Sequence, residues 1–126
     1  MPDRGGAPPI LVVDDNPVNR KVAALFVQRH GYEVAVAESG AEALAMMAAG
    51  PYALVLMDCQ MPGMDGYATA AAIRDQHPIP RVPIIAVTAD ASVDVRARDA
   101  EGVMDDVIEK PISLEELGVV IRRWVG

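Results

Sequence analysis

The sequence predicts an α/β domain built as a doubly wound, five-stranded parallel sheet with helices on both faces. Two observations carry that expectation. Five short apolar runs recur along the 126 residues, and the segments between them bear the punctuation of amphipathic helices. Strand alternating with helix five times implies a parallel sheet whose crossovers cover both faces. A composition that is 52% hydrophobic but only 4% aromatic suits buried Val/Ile/Leu strands under Ala-rich helices.

The first run, Ile10–Val13 (ILVV), lies between Pro8-Pro9 and Asn16-Pro17 and reads as a buried strand. Asn16 followed by Pro17 marks an N-cap and first helical position, and Gly31 suits the far end. In this helix Val18, Val22, Leu25 and Phe26 share a face. The second run is Val34–Ala37. Ser39 with Glu42 then matches a capping box and opens a helix over 41–49, stopped by Gly50-Pro51. The third run, 53–57, is followed by Pro62-Gly63, suited to a type II turn, and by Asp65 as cap of a helix over 66–76. The fourth run is 84–87, with a further helix expected over 92–101. A weaker fifth run, 107–108, precedes Ser113 and Glu116, a second capping box opening a helix that reaches Trp124. Residues 1–9 lack the apolar core of a signal peptide and read as a flexible tail before a domain at 10–126.

Ligands of open parallel sheets bind outside the carboxyl ends of the strands. The runs close there on Asp14 and Asp15, on Glu38-Ser39, on Asp58, on Thr88 and on Lys110. Only the second closes on plain helix capping. Three carboxylates converging on one sheet edge repel one another, and a hard divalent cation resolves the repulsion. Mg²⁺ takes a few carboxylates plus waters and commonly bridges to a phosphoryl group. Lys110 and Thr88 then suit the remaining phosphoryl oxygens, and a neutralised carboxylate can itself be the nucleophile. Each residue alone has a plainer reading: Asp14-Asp15 as a solvated turn, Thr88 as a β-branched strand residue, Lys110 as an edge charge. Cys59 reads as a small buried residue with no redox role. Glu101, Asp105, Asp106 and Glu109 read as a solvated acidic edge.

ILVVDDNPVNR, LVLMDCQMPGMDG, IIAVTA and VIEKP, in that order, resemble the receiver domain of two-component response regulators over about residues 10–124. The resemblance implies a flavodoxin-like sheet of order 2-1-3-4-5. It implies that Asp58 is the phosphoacceptor, that Asp14, Asp15, Asp58 and the backbone carbonyl of Gln60 form a Mg²⁺ site, and that Thr88 and Lys110 contact the phosphoryl oxygens. It further implies a cis Lys110-Pro111 bond, a tuning role for Gln60 and Asp90 in hydrolysis, and a histidine kinase or histidine phosphotransfer protein as donor. The wording is most similar to receivers of hybrid histidine kinases. A terminal receiver of such a kinase is therefore expected, with a free-standing single-domain regulator and a Mg²⁺-dependent, phosphatase-like enzyme as alternatives. A receiver catalyses only its own phosphorylation and dephosphorylation; a hybrid parent would be a kinase. One departure stands out. Val107 occupies the position where similar receivers carry the aromatic ring that follows Thr88, so the readout on the face around the last strand is expected to be small.

A formal net charge of −7 argues against nucleic acid as a partner. No apolar run approaches the roughly 20 residues that span a bilayer, so no direct membrane contact is expected. The single cysteine fits a reducing cytoplasm. A monomer or weak dimer is expected, with no output domain after the last helix.

Overall fold

The apolar runs pair side by side into one parallel sheet. In the computed structural model, which describes residues 8–59, 66–78, 81–89 and 102–125, the elements are β1 (Ile10–Val13), α1 (Pro17–Arg29), β2 (Val34–Ala37), α2 (Gly40–Ala49), β3 (Leu54–Asp58), α3 (Gly66–Gln76), β4 (Ile84–Thr88), β5 (Asp106–Glu109) and α4 (Leu114–Trp124). The strand order is β2-β1-β3-β4-β5, all neighbours parallel. The helix expected over 92–101, the Pro62-Gly63 turn, Asp65 and residues 1–7 of the expected tail lie outside the described residues. The carbonyl of Pro9 accepts a hydrogen bond from the Ala53 N–H at 2.9 Å.

Side chains alternate across a strand, so each central strand feeds two cores. Leu11, Val13, Val55, Met57, Ile84 and Ala86 face one way, against Ala43 and Met47 of α2 and Ala70 and Ile73 of α3. Ile10, Val12, Leu54, Leu56, Ile85 and Val87 face the other, against Ala23 and Val27 of α1 and Leu117, Val120 and Ile121 of α4. Complete burial on both faces explains why these runs are continuously apolar.

The caps form as the residue types require. Asn16 Oδ1 accepts from the N–H groups of Val18 (2.9 Å) and Asn19 (3.1 Å). Ser39 Oγ accepts from Glu42 N–H at 3.1 Å, while the Glu42 carboxylate reaches one residue further back, to Glu38 N–H at 2.7 Å. Ser113 Oγ accepts from Glu116 N–H at 3.0 Å. Gly31 takes φ 90°, the left-handed turn that ends α1.

The structure divides the α1 stripe and overturns the reading of two acidic residues. Phe26 packs against the core with the buried Ala23 and Val27, while Val18, Val22 and Leu25 face outward, Val18 68% and Leu25 50% exposed. Two apolar faces compete on this helix, and periodicity alone does not rank them. Asp105 and Asp106 are not a solvated edge. Asp105 receives Arg74 Nη2 at 2.6 Å, Arg81 Nη2 at 2.7 Å and Ile84 N–H at 2.9 Å. Asp106 receives Arg123, the Trp124 indole at 2.9 Å and Val107 N–H at 2.8 Å. Burial works against ionisation of Asp105, but the Ile84 N–H and the guanidinium groups of Arg81 and Arg74 outweigh it and hold the carboxyl below its ordinary value. Asp106 is held low in the same sense, burial being outweighed by Trp124, Val107 N–H and Arg123.

A carboxyl with a lowered folded pKa contributes stability that is present above its ordinary value of 3.8 and lost as pH falls through the folded value. Asp105→Asn is therefore expected to destabilise the fold at pH 7 by about 3 kcal/mol, the low end for a buried charge left unpaired. The low end applies because Arg74 keeps its bonds to the carbonyls of Val82 and Val103. Urea unfolding of both proteins at pH 7 and at pH 3 should show the gap narrowing in acid.

Candidate functional site

The strand register brings the chemistry together at the carboxyl edge of the sheet. Val13 is level with Met57, Asp58 with Val87, and Thr88 with Glu109, so the groups that follow leave the sheet as neighbours. Backbone bonds extend the ladder past the strands: Asp14 N–H to the Ala37 carbonyl (3.1 Å), Cys59 N–H to Val87 (3.0 Å) and Lys110 N–H to Thr88 (2.7 Å). Asp58 is 2% exposed, Asp14 6% and Thr88 fully buried, while Asp15 is exposed. Carboxylate oxygens of Asp14, Asp15 and Asp58 lie within 4.8 Å of one another. Lys110 Nζ donates to Asp58 Oδ1 at 3.0 Å, and the Lys110-Pro111 peptide is cis. Gln60, Asp90 and their contacts lie outside the described residues.

One ammonium does not neutralise three carboxylates. Burial pushes the Asp14 carboxyl above its ordinary value, and the charges of Asp58 and Asp15 push it further. The Asn16 N–H, which donates to Asp14 Oδ1 at 2.9 Å, and Lys110 oppose that rise. An all-oxygen set with surplus negative charge fits a hard divalent cation. Asp58 combines a buried carboxylate with an ammonium in direct contact, an arrangement able to accept an electrophile and hold its oxygens.

The surrounding scaffold leaves little freedom at Asp58. Gly66 opens α3 so close behind it that a Cβ there would overlap the Asp58 carbonyl oxygen. Cys59 is buried beside it, as expected of a small core residue. His30 sits at the far end of α1, roughly 20 Å along a helix of 13 residues, where its Nε2 lies 2.7 Å from the Leu114 carbonyl. A cavity of about 360 Å³ opens between Asp14 and Lys110, walled by Val22, Val87 and Ile112. Arg20 of α1 is half-buried, and it donates from Nη1 to the Asp14 carbonyl at 2.9 Å.

A five-stranded parallel sheet carrying an acidic cation cradle and a lysine-paired aspartate at its carboxyl edge defines a phosphotransfer signalling domain. The chain belongs to the response regulator receiver domain family, whose model matches residues 10–122. It is similar to the sensor histidine kinase GacS of Pseudomonas protegens, 39% identical over 124 residues that cover 95% of this chain and 13% of that one. It is also similar to the sensor histidine kinase RcsC of Escherichia coli, 38% identical over 84% of this chain and 11% of that one. It thus spans only a small part of the curated relatives it matches.

Among solved structures, the receiver domain of the sensor histidine kinase PA1611 of Pseudomonas aeruginosa, with magnesium in its active-site cleft, superposes with a TM-score of 0.87. Their sequences are 37% identical over 96% of this chain and 99% of that one. The response regulator TrrA of Thermotoga maritima, in complex with Mg²⁺-BeF, gives 0.83 at 33% identity, covering 93% and 98% of the two chains. This chain is a receiver domain of two-component systems, which accept a phosphoryl group from histidine kinases or phosphotransfer proteins. Among the described residues no helix is long and apolar enough to cross a membrane.

Because Asp14 has a raised folded pKa, its ionisation costs stability as pH climbs past the ordinary carboxyl range. In EDTA at pH 7, Asp14→Asn is expected to melt at a higher temperature than the wild type. Saturating Mg²⁺ is expected to shrink or reverse that difference, because the cation stabilises only a chain that retains its ligands. Thermal melts with and without Mg²⁺ check both signs.

Proposed function

We propose that Asp58 is the phosphoacceptor, and that Asp14, Asp15, Asp58 and the Gln60 carbonyl hold Mg²⁺ beside it. The observation that carries this reading is the 3.0 Å contact of Lys110 Nζ with a buried Asp58 that shares its surroundings with two further carboxylates. Bound Mg²⁺ supplies neutralisation of charge on the carboxylates and the phosphoryl oxygens. An Asp58 carboxylate oxygen attacks phosphorus, the phosphorus–nitrogen bond of the donor phosphohistidine breaks, and its electron pair leaves with the imidazole. Lys110 moves from its bond with Asp58 to a phosphoryl oxygen, and the Thr88 hydroxyl donates to another. Hydrolysis of the resulting acyl phosphate returns Asp58.

The donor is a histidine kinase or histidine phosphotransfer protein. Its docking surface is the outward Val18, Val22 and Leu25 stripe of α1, which leads to the cavity edged by Asn19, Pro111, Ile112 and Lys110, the partner of Asp58. An apolar stripe of this kind on a helix face suits an amphipathic helix carrying the histidine. Similarity to GacS and RcsC supports a receiver at the end of a cytoplasmic hybrid histidine kinase, ahead of a free-standing regulator; the receiver unit is 10–126 behind a tail of residues 1–9. The module is a monomer or weak dimer, and its acidity disfavours nucleic acid.

Incubation with acetyl phosphate and Mg²⁺ is expected to add one acid-labile phosphoryl group, seen by intact-mass measurement. Asp58→Asn should abolish it, and labelling that persists at the wild-type rate would overturn the assignment.

Val107 is half-buried against the α2/α3 core and brings no ring to the face around β5. Asp106 meanwhile ties β5 to Arg123 and Trp124 of α4. Beryllofluoride with Mg²⁺ is therefore expected to shift backbone NMR signals strongly at residues 13–16, 58–59, 88–89 and 109–111, and at least twofold less at 106–108 and over 114–124. Equal shifts in the two regions would show that valine serves as a full switch.

A further inference from the structure

The carboxylates that form the acidic cluster repel one another, yet Asp14 and Asp15 sit on a short turn between β1 and α1 that their own repulsion should open. Besides the bond from Asp14 N–H to the Ala37 carbonyl, two bonds hold this turn from opposite sides. Asn16 N–H donates to the Asp14 side chain. On the backbone side, Arg20 Nη1 donates to the Asp14 carbonyl at 2.9 Å, reaching back from α1. That carbonyl stands at the very end of β1, beyond the paired residues Ile10–Val13. Arg20 is 20% exposed, and its second contact, with Glu38 Oε2, is long at 4.0 Å to a carboxylate 71% exposed. A pair of that kind contributes little, so the bond to Asp14 is the one that orders the guanidinium.

We infer that Arg20 is a positioning residue: through the Asp14 carbonyl it clamps the β1–α1 turn and keeps the Asp14 and Asp15 carboxylates aimed at the cation site. The inference rests on the reading of Asp14, Asp15 and Asp58 as that site. It touches neither metal nor phosphoryl group, and acts only by fixing the residues that do.

The sign of one measurement separates this role from a purely electrostatic one. A guanidinium near a cation site repels the cation, so if Arg20 acted only through its charge, removing it would tighten Mg²⁺ binding. If it acts by holding the turn, removing it loosens binding, by about 10-fold, the low end of the range for residues that orient metal ligands. Calorimetric titration of the whole chain with Mg²⁺ is expected to give about 10-fold weaker affinity for Arg20→Ala. Arg20→Lys, which keeps a donor of similar reach, should recover most of it, and Glu38→Gln should stay within about twofold of wild type.

Thermal melts in EDTA separate clamping from folding. Should Arg20→Ala fail to fold, Arg20→Gln, neutral and too short to reach the carbonyl, takes its place with the same expected weakening. Affinity that is unchanged or tighter in the variant tested overturns the inference. Absence of Mg²⁺ binding in the wild type would instead overturn the proposed function. The clamp would then be decided in metal-free protein by hydrogen exchange of the Asn16 amide: several-fold faster in Arg20→Ala supports it, and an unchanged rate overturns it.

Discussion

Like charges gathered at one point are the constraint around which this molecule is organised. Asp14, Asp15 and Asp58 have carboxylate oxygens within 4.8 Å of one another, and the first and last of these residues are almost wholly buried. Such a cluster is tolerated because it is held from several directions: Asp58 by Lys110, Asp14 by Asn16 N–H, and the turn carrying Asp14 and Asp15 by Arg20. Burial, with the charges of Asp58 and Asp15 added to it, holds the Asp14 carboxyl above its ordinary value. A surplus of negative charge on a rigid base favours capture of a cation, and then of an anion the cation can bridge.

Rigidity at that edge is secured partly at the opposite one. Arg74 of α3 binds the carbonyls of Val82 and Val103 and the carboxylate of Asp105, which also takes Ile84 N–H. One ion-paired knot therefore sets where β4 and β5 begin, and the parallel register carries that placement along both strands to Thr88 and Lys110. The same two aspartates divide the work around β5: Asp105 fastens the approach to the strand, and Asp106 fastens the strand to α4 through Arg123 and Trp124. With Val107 following them, β5 is tied at both points and brings no ring to its face at that position.

The legible parts of this chain were those set by local chemistry. The apolar runs of β1, β3 and β4 become strands buried on both faces, because nothing apolar in them tolerates water. Asn16-Pro17, Ser39 and Ser113 begin helices, because their side chains satisfy N–H groups that a helix start leaves open. The residues closing each run could be named in advance as a converging set, since a parallel sheet puts all its carboxyl ends on one edge. The strand order came from resemblance to a known family, and pairing bears it out.

What stayed hidden depended on partners far along the chain. The outward turn of Val18, Val22 and Leu25 depends on which face of α1 meets the sheet, and both faces are apolar enough to qualify. Asp105 looked solvated because its cations, Arg74 and Arg81, come from 31 and 24 residues earlier. Nothing local in the sequence says that the Arg20 guanidinium curls back onto the Asp14 carbonyl. The sequence by itself determined the strands, the caps and the identities of the groups at the sheet edge, because propensity, capping and hydrophobic burial act over a few residues. Only the tertiary structure decided which charges are paired, which apolar stripe faces outward and how tightly the acidic turn is held, because those outcomes depend on distances between segments that only the packed sheet brings together.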